Sequence, residues 1–132
     1  MAIAHFQPEL ALEVLLSAVM AAHGEATLRV DAVFQLVLAG GPEMVLSVDC
    51  TCVPAEIRRG PHDGAELTLV LHRDRLLPLL SGELDVERAC DTGELEVTGD
   101  PEVLSRLATL WSTRRGTDAL SLMIERRREE AL

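Results

Sequence analysis

Apolar residues recur along this chain with two different spacings, and each spacing predicts a type of secondary structure. Over residues 8–23 they follow the three-to-four residue period of a helix, and Gly24 stands just past its end. Over 28–38 they alternate, which predicts a long half-buried strand. The turn at 40–42 and renewed alternation over 44–50 predict that two strands form a hairpin.

Two further strands are predicted before the pattern changes. A weaker strand covers 52–58, and Pro54 confines it to an edge or a bulge because proline cannot donate to a ladder. A second turn at 60–64 precedes alternating leucines at 67, 69 and 71. Four strands joined by short turns predict an antiparallel meander.

The second half of the chain returns to helical spacing. Leucines at 76, 77, 79 and 80 predict a short helix buried deeply on a sheet. Asp85 is expected to cap a second short helix over 86–91, which ends at Gly93. A fifth strand follows at 94–98. Beyond it, an apolar stripe ending at Trp111 and a last apolar pattern after residue 116 predict two more helices.

Composition narrows the functions that remain. The 132 residues fit a single domain spanning 1–132, and the net charge of −10 with no lysine argues against nucleic acid or anionic lipid as a partner. The absence of lysine and tyrosine also excludes Schiff-base chemistry and tyrosine proton donation. Three cysteines, no leader and no apolar run of bilayer length indicate a cytoplasmic protein.

Candidate catalytic or metal-binding groups have simpler explanations. Cys50 and Cys52 lack a second Cys or His pair at zinc spacing and are interpreted as buried core thiols. The four histidines are scattered and are expected in turns or on the surface. The carboxylates over 85–96 are interpreted as helix caps, turn residues and the wet side of a strand. No metal, cofactor or catalytic residue is therefore expected.

One stretch of the chain resembles a known family. Residues 82–100 read Gly-Glu-Leu-Asp-Val-Glu-Arg-Ala-Cys-Asp-Thr-Gly-Glu-Leu-Glu-Val-Thr-Gly-Asp, after a strand and a leucine-rich helix. This order is similar to the sterol carrier protein 2 family, in which G-x-L-D and an alanine precede T-G-x-L-x-V-x-G-D and an amphipathic helix. The resemblance is firm over about 64–111 and looser before it. Its glycines are expected to end helices and its leucine and valine to face the core.

The resemblance implies an α+β fold in which helices cover a five-stranded, mostly antiparallel sheet. It also implies a non-enzymatic protein that holds a sterol, fatty acid or acyl chain in a nonpolar tunnel between sheet and helices. The acidic charge and the ending Glu-Ala-Leu depart from the basic eukaryotic members, so membrane delivery and a peroxisomal location are not expected. An arginine-only chain indicates a GC-rich, bacterial genome.

On this hypothesis eight residues line the tunnel, and the last helix acts as its lid. The predicted lining residues are Phe34, Leu36, Met44, Leu46, Leu77, Leu80, Trp111 and Met123. The alternative keeps the fold but fills the tunnel, which leaves an interaction or dimerisation module that assists a partner enzyme. A dry, well-packed interior with an exposed apolar patch would favour that alternative.

Overall fold

The computed structural model describes residues 8–112, with side chains from residue 12 onward. Four α-helices and five strands follow one another along this part of the chain, with short 3₁₀ turns at Gly24–Arg29 and Arg73–Arg75. In chain order the elements are α1 (Pro8–His23), β1 (Val33–Ala39), β2 (Met44–Asp49), β3 (Glu56–Arg59), β4 (Leu67–His72), α2 (Leu76–Ser81), α3 (Val86–Thr92), β5 (Leu95–Gly99) and α4 (Pro101–Trp111). The predicted final helix and its Arg126–Arg128 segment lie outside the described residues.

The five strands form one sheet in the order β3-β2-β1-β4-β5, which confirms the predicted α+β class with a mostly antiparallel sheet. The predicted meander is wrong at its centre. β1 pairs in parallel with β4, with Leu36 opposite Leu69, while the other three pairings are antiparallel. The chain therefore leaves edge strand β3 and crosses to the far side of β1 before it forms β4.

Polar side chains hold this crossing, which residues 60–66 make over the sheet face that the helices do not cover. The Ser47 hydroxyl donates to the Gly60 carbonyl at 2.8 Å, and the His62 backbone N–H donates to Gln35 Oε1 at 3.2 Å. Gln35 Nε2 in turn donates to the Thr68 hydroxyl at 2.9 Å. These bonds explain why polar residues lie on central strands that would otherwise carry apolar ones.

The first and third strands are shorter than predicted. Residues 24–29 form a 3₁₀ turn in which the Thr27 hydroxyl donates to the Gly24 carbonyl, and Asp31 has a positive φ of 44° that interrupts extended backbone. The alternation of apolar and polar residues over 28–32 therefore does not correspond to a strand. β3 begins at Glu56 because Pro54 and its neighbours form a bend.

The hydrophobic core lies between one face of the sheet and helices α1, α2 and α4, and α3 adds Ala89 where it packs against β5. Leu76, Leu79 and Leu80 of α2 are at most 1% exposed. Leu77 was predicted to lie in the core with them, and this is wrong because its side chain is 41% exposed. Leu76, Leu79 and Leu80 stand at positions i, i+3 and i+4, which share one face of a helix. Leu77 stands at i+1 and projects from a different face. Among residues 8–112 no helix combines the length and apolar character needed to cross a bilayer.

His23 corrects the expectation that the histidines lie on the surface or in turns, because it is completely buried. It stands seven residues after Leu16 on the same stripe of α1, so helical spacing carries it into the core. His62 is half-buried in the crossing segment, and His72 is exposed at the end of β4. His5 lies outside the described residues.

The motif at 82–100 is architectural, as expected. The Asp85 carboxylate accepts from the Arg88 backbone N–H at 3.2 Å and caps α3, and the Asp100 carboxylate accepts from Glu102 N–H and caps α4. Gly82 and Gly93 end α2 and α3 with almost the same left-handed backbone, at φ of 80° and 81°. These caps fix where each helix starts and stops.

Gly82 has a second role that Gly93 lacks. A Cβ atom at Gly82 would lie 2.7 Å from the Trp111 carbonyl oxygen and 3.1 Å from Ser112 Cα, whereas one at Gly93 would meet nothing within 4 Å. The end of α2 therefore packs directly on the backbone at the end of α4.

This pair of glycines gives a matched test of the α2–α4 contact. Both Gly82→Ala and Gly93→Ala place a side chain on left-handed backbone, which costs about 1 kcal/mol. Gly82→Ala also forces α2 and α4 apart, so it should lower the free energy of unfolding by about 2 kcal/mol more than Gly93→Ala in urea titrations. Equal losses for the two variants would contradict the close contact.

Cys50 gives a second test, because its thiol is fully buried in the core just after β2. Burial, and to a lesser extent the charge of Asp49, raises the pKa of this thiol to about 12 from 9.0. The unfolded thiol ionises from about pH 9 while the folded one keeps its proton, so the unfolded state binds fewer protons there and stability falls as pH rises.

The chain has no lysine or tyrosine to mask this effect between pH 9 and 11. We expect the wild-type free energy of unfolding to fall by up to about 1.4 kcal/mol per pH unit more steeply than that of Cys50→Ala. Denaturant titrations at pH 8.5, 9.5 and 10.5 measure the two slopes. Parallel pH profiles for the two proteins would show that Cys50 is not protected.

Candidate ligand-binding groove

A groove of about 580 Å³ opens between α2, α3 and α4. Its volume falls within the range of about 300–1,000 Å³ that is usual for small-molecule sites. The described residues that line it are Leu79, Gly82, Leu84, Asp85, Val86, Glu87, Cys90, Asp91, Pro101, Leu104, Ser105, Ala108, Trp111 and Ser112. Apolar side chains therefore come from all three helices, and the charged ones come from α3 and its cap.

The inner wall of the groove includes Trp111, the last residue of α4. Its side chain is 1% exposed, and its ring meets the ring of Phe34 edge to face, with centroids 5.8 Å apart and an interplanar angle of 77°. This geometry is a favoured one for two aromatic rings. Trp111 thus lies at the junction between the groove and the core on the sheet.

The indole N–H of Trp111 is buried and has no hydrogen-bond acceptor among the described residues. Buried indole N–H groups usually find an acceptor, and leaving one unpaired costs roughly 1–3 kcal/mol. An uncompensated cost of this size is more common at functional sites than in a region that serves only to pack.

The structure brings together six of the eight residues predicted to line a tunnel, as neighbours in one core cluster. These six are Phe34, Leu36, Met44, Leu46, Leu80 and Trp111, and none is more than 7% exposed. Leu77 lies on the exposed side of α2, and Met123 falls outside the described residues. Only Trp111 among them lines the groove, so the tunnel through the core stays a prediction.

Sequence reasoning did not identify most residues of the groove. Leu84, in the loop before α3, and Leu104 of α4 are half-buried and pack against the core. Their apolar character is visible in the sequence. That they share one concave surface depends on the angle between α3 and α4, and no local pattern encodes this angle.

Cys90 of α3 is the thiol that lines the groove, and it is exposed. Partial desolvation, with a smaller contribution from Asp91, raises the pKa of this thiol. It is therefore protonated at neutral pH and is a slow nucleophile. Its position makes it a chemical probe of whether the groove is occupied.

A separate group of potential metal ligands lies at the end of β2. Oxygen or sulfur atoms of Asp49, Cys52 and Glu56 all lie within 4.8 Å of one another. The guanidinium of Arg58 is 2.7 Å from Glu56, and hydrogen bonds from Thr51 lower the pKa of Asp49. The guanidinium of Arg58 offsets the charge of Glu56, and the Asp49 carboxylate accepts hydrogen bonds from Thr51, so protein groups already engage both carboxylates. The interpretation of both cysteines as core thiols is confirmed for Cys50 but is wrong for Cys52, which is half-buried and outside the core cluster.

Comparisons with known proteins agree with the motif at 82–100. Residues 12–112 match the model of the SCP-2 sterol transfer family. No curated protein sequence gives a significant match. Similar solved structures include the apo form of sterol carrier protein 2 from Yarrowia lipolytica, which is 18% identical with a TM-score of 0.60. That comparison covers 81% of this chain and 89% of the yeast chain.

Two further structures share the fold. A UbiJ-SCP2 ubiquinone synthesis protein is 21% identical with a TM-score of 0.62, over 86% of this chain and 93% of that chain. Sterol carrier protein 2 from Aedes aegypti in complex with palmitate is 20% identical with a TM-score of 0.55, over 72% of this chain and 92% of that chain. The family model covers most of the chain, and the described elements have the same fold as these proteins. The chain belongs to the SCP-2 sterol transfer family.

Proposed function

We propose that this protein binds and carries a nonpolar small molecule without transforming it, and that the groove between α2, α3 and α4 is its binding site. The observation that carries the proposal is the groove itself, with its apolar walls and Trp111 at its inner side. Membership of the family, and the palmitate complex of the Aedes aegypti relative, support a lipid or sterol as the class of ligand.

The energetics of the groove are adequate for this role. Each buried CH₂ group of a ligand contributes about 0.8 kcal/mol, from which the cost of immobilising the ligand is subtracted. A chain of about twelve carbons would then bind with a dissociation constant in the micromolar range. Such affinity permits both loading and release.

Ala108 provides a variant that fills the site. It lies half-buried on α4 and lines the groove, so Ala108→Phe places a ring where the ligand would sit. We expect it to weaken binding of a bromine-labelled C12 alcohol at least tenfold, measured by quenching of Trp111 fluorescence. Ser17→Phe puts the same ring on an exposed position of α1 and should leave binding unchanged.

A wild-type protein that shows no saturable quenching by this alcohol or by a sterol would contradict the carrier function. Equal affinity in Ala108→Phe and wild type would place the ligand elsewhere. Urea titration of each variant confirms that the comparison is made between folded proteins.

The cysteines give an independent footprint of the same site. Cys90 lines the groove, whereas Cys52 lies near the end of β2 and away from it. We expect a bound C12 alcohol to slow alkylation of Cys90 by at least fivefold at pH 8 and to leave the rate at Cys52 unchanged. Mass spectrometry of peptides from the alkylated protein measures both rates, and equal protection of the two thiols would contradict the site.

The close packing of the six predicted lining residues favours a second candidate function. Phe34, Leu36, Leu46 and Leu80 are fully buried, which supports an interior packed with the protein's own side chains. An interaction or dimerisation module that assists a partner enzyme needs a packed interior and no ligand cavity. Saturable binding in the groove separates the two functions, since the module requires none.

A further inference from the structure

The polar residues of the groove are unevenly charged. Asp85 of the α3 cap and Glu87 and Asp91 of α3 place three carboxylates on its lining. The described residues that α2 and α4 contribute to the lining carry no charge, and neither does Ser112. The groove is thus apolar on two sides and anionic along α3.

Two arginines of the described chain, Arg88 and Arg106, belong to the same helices as the groove but do not line it. Arg88 of α3 lines an adjoining cavity with Glu83 and Glu94, and Asp85 lines both that cavity and the groove. Arg106 of α4 donates to the Val30 carbonyl at 2.8 Å and lines, with Arg29, a cavity of about 240 Å³ on the other side of α4. Glu87 and Asp91 therefore have no cationic partner among the described residues that line the groove.

The three carboxylates are also available to a ligand. Glu87 and Asp91 are exposed, and neither accepts a described hydrogen bond, while Asp85 accepts one from the Arg88 backbone N–H. Opposite charges attract even across water, and the attraction grows at a partly desolvated surface. The net charge of −10 adds a long-range field of the same sign.

We infer that the groove selects its ligand by charge, so that an amphiphile with a protonated amine binds best, an uncharged alcohol binds less tightly, and a carboxylate binds worst. This inference rests on the proposed function and adds the class of head group to it. The apolar walls hold the alkyl part in all three cases, while the α3 carboxylates attract the ammonium group and repel the carboxylate group.

Three ligands of equal chain length isolate the head group. Dodecylamine, dodecanol and dodecanoate are each used below their micelle-forming concentrations to displace the bromine-labelled C12 alcohol from wild-type protein at pH 7 and low salt. Recovery of Trp111 fluorescence measures displacement from one site. We expect dodecylamine to bind at least tenfold more tightly than dodecanoate, with dodecanol between them, and 0.5 M NaCl to reduce this ratio.

Neutral variants assign the selectivity to the groove. Glu87→Gln with Asp91→Asn removes two of its charges at exposed positions and should reduce the amine-to-carboxylate ratio at least threefold. Glu96→Gln removes one exposed charge on β5, outside the groove, and should leave the ratio nearly unchanged. A reduction in Glu96→Gln as large as in the double variant would overturn the inference, since the protein's overall charge would then account for it.

Two other outcomes are decisive in different ways. If dodecanoate binds as tightly as dodecylamine or more tightly, the charge selectivity is overturned and the carrier function stands. If the bromine-labelled alcohol itself shows no saturable quenching, both the carrier function and the selectivity are overturned.

Discussion

The contact between the ends of α2 and α4 is the constraint on which the rest of this structure depends. Gly82 approaches the Trp111 carbonyl so closely that a methyl group would not fit, and Trp111 in turn packs edge to face on Phe34 of the central strand. Two helices are thereby fixed to each other and to the sheet through one residue. α3 begins four residues after Gly82, and the space between α3 and the α2–α4 pair is the groove.

The core and the groove are different parts of the described structure. The sheet and the buried faces of the helices form one cluster of buried apolar side chains. Among the described residues, the groove shares Leu79 and Trp111 with that core. On the proposed function, a ligand in the groove would exchange without opening the core, and the charges along α3 would act on the part of the ligand near solvent.

The sequence predicted those features that depend on local spacing. The bounds of α1, the hairpin and the Asp85 cap follow from periodicity and capping chemistry, and all are confirmed. The parallel pairing of β1 with β4 was not predicted, because alternation reveals that a segment is a strand but not which strand lies beside it. The polar residues Gln35 and Ser47 were the available signal, since both sit in strands and hold the crossing segment.

The site was less predictable than the fold for the same reason. Trp111 and Phe34 are both predicted to line a tunnel, and in the structure their rings pack against each other in the core. The groove itself depends on how short helices are oriented in three dimensions. Helical spacing alone indicates the burial of His23 and the exposure of Leu77, because His23 continues the buried stripe of α1 and Leu77 departs from that of α2.

The central claim is that a nonpolar ligand occupies the groove and leaves the core intact. Isotope-filtered NOE measurements between a bound dodecanol and the methyl groups of the labelled protein test it most directly. We predict NOEs from the ligand to Leu84, Val86, Leu104 and Ala108. Strong NOEs to Leu36 and Leu46 in place of these would contradict the claim, because the ligand would then lie between the sheet and the helices.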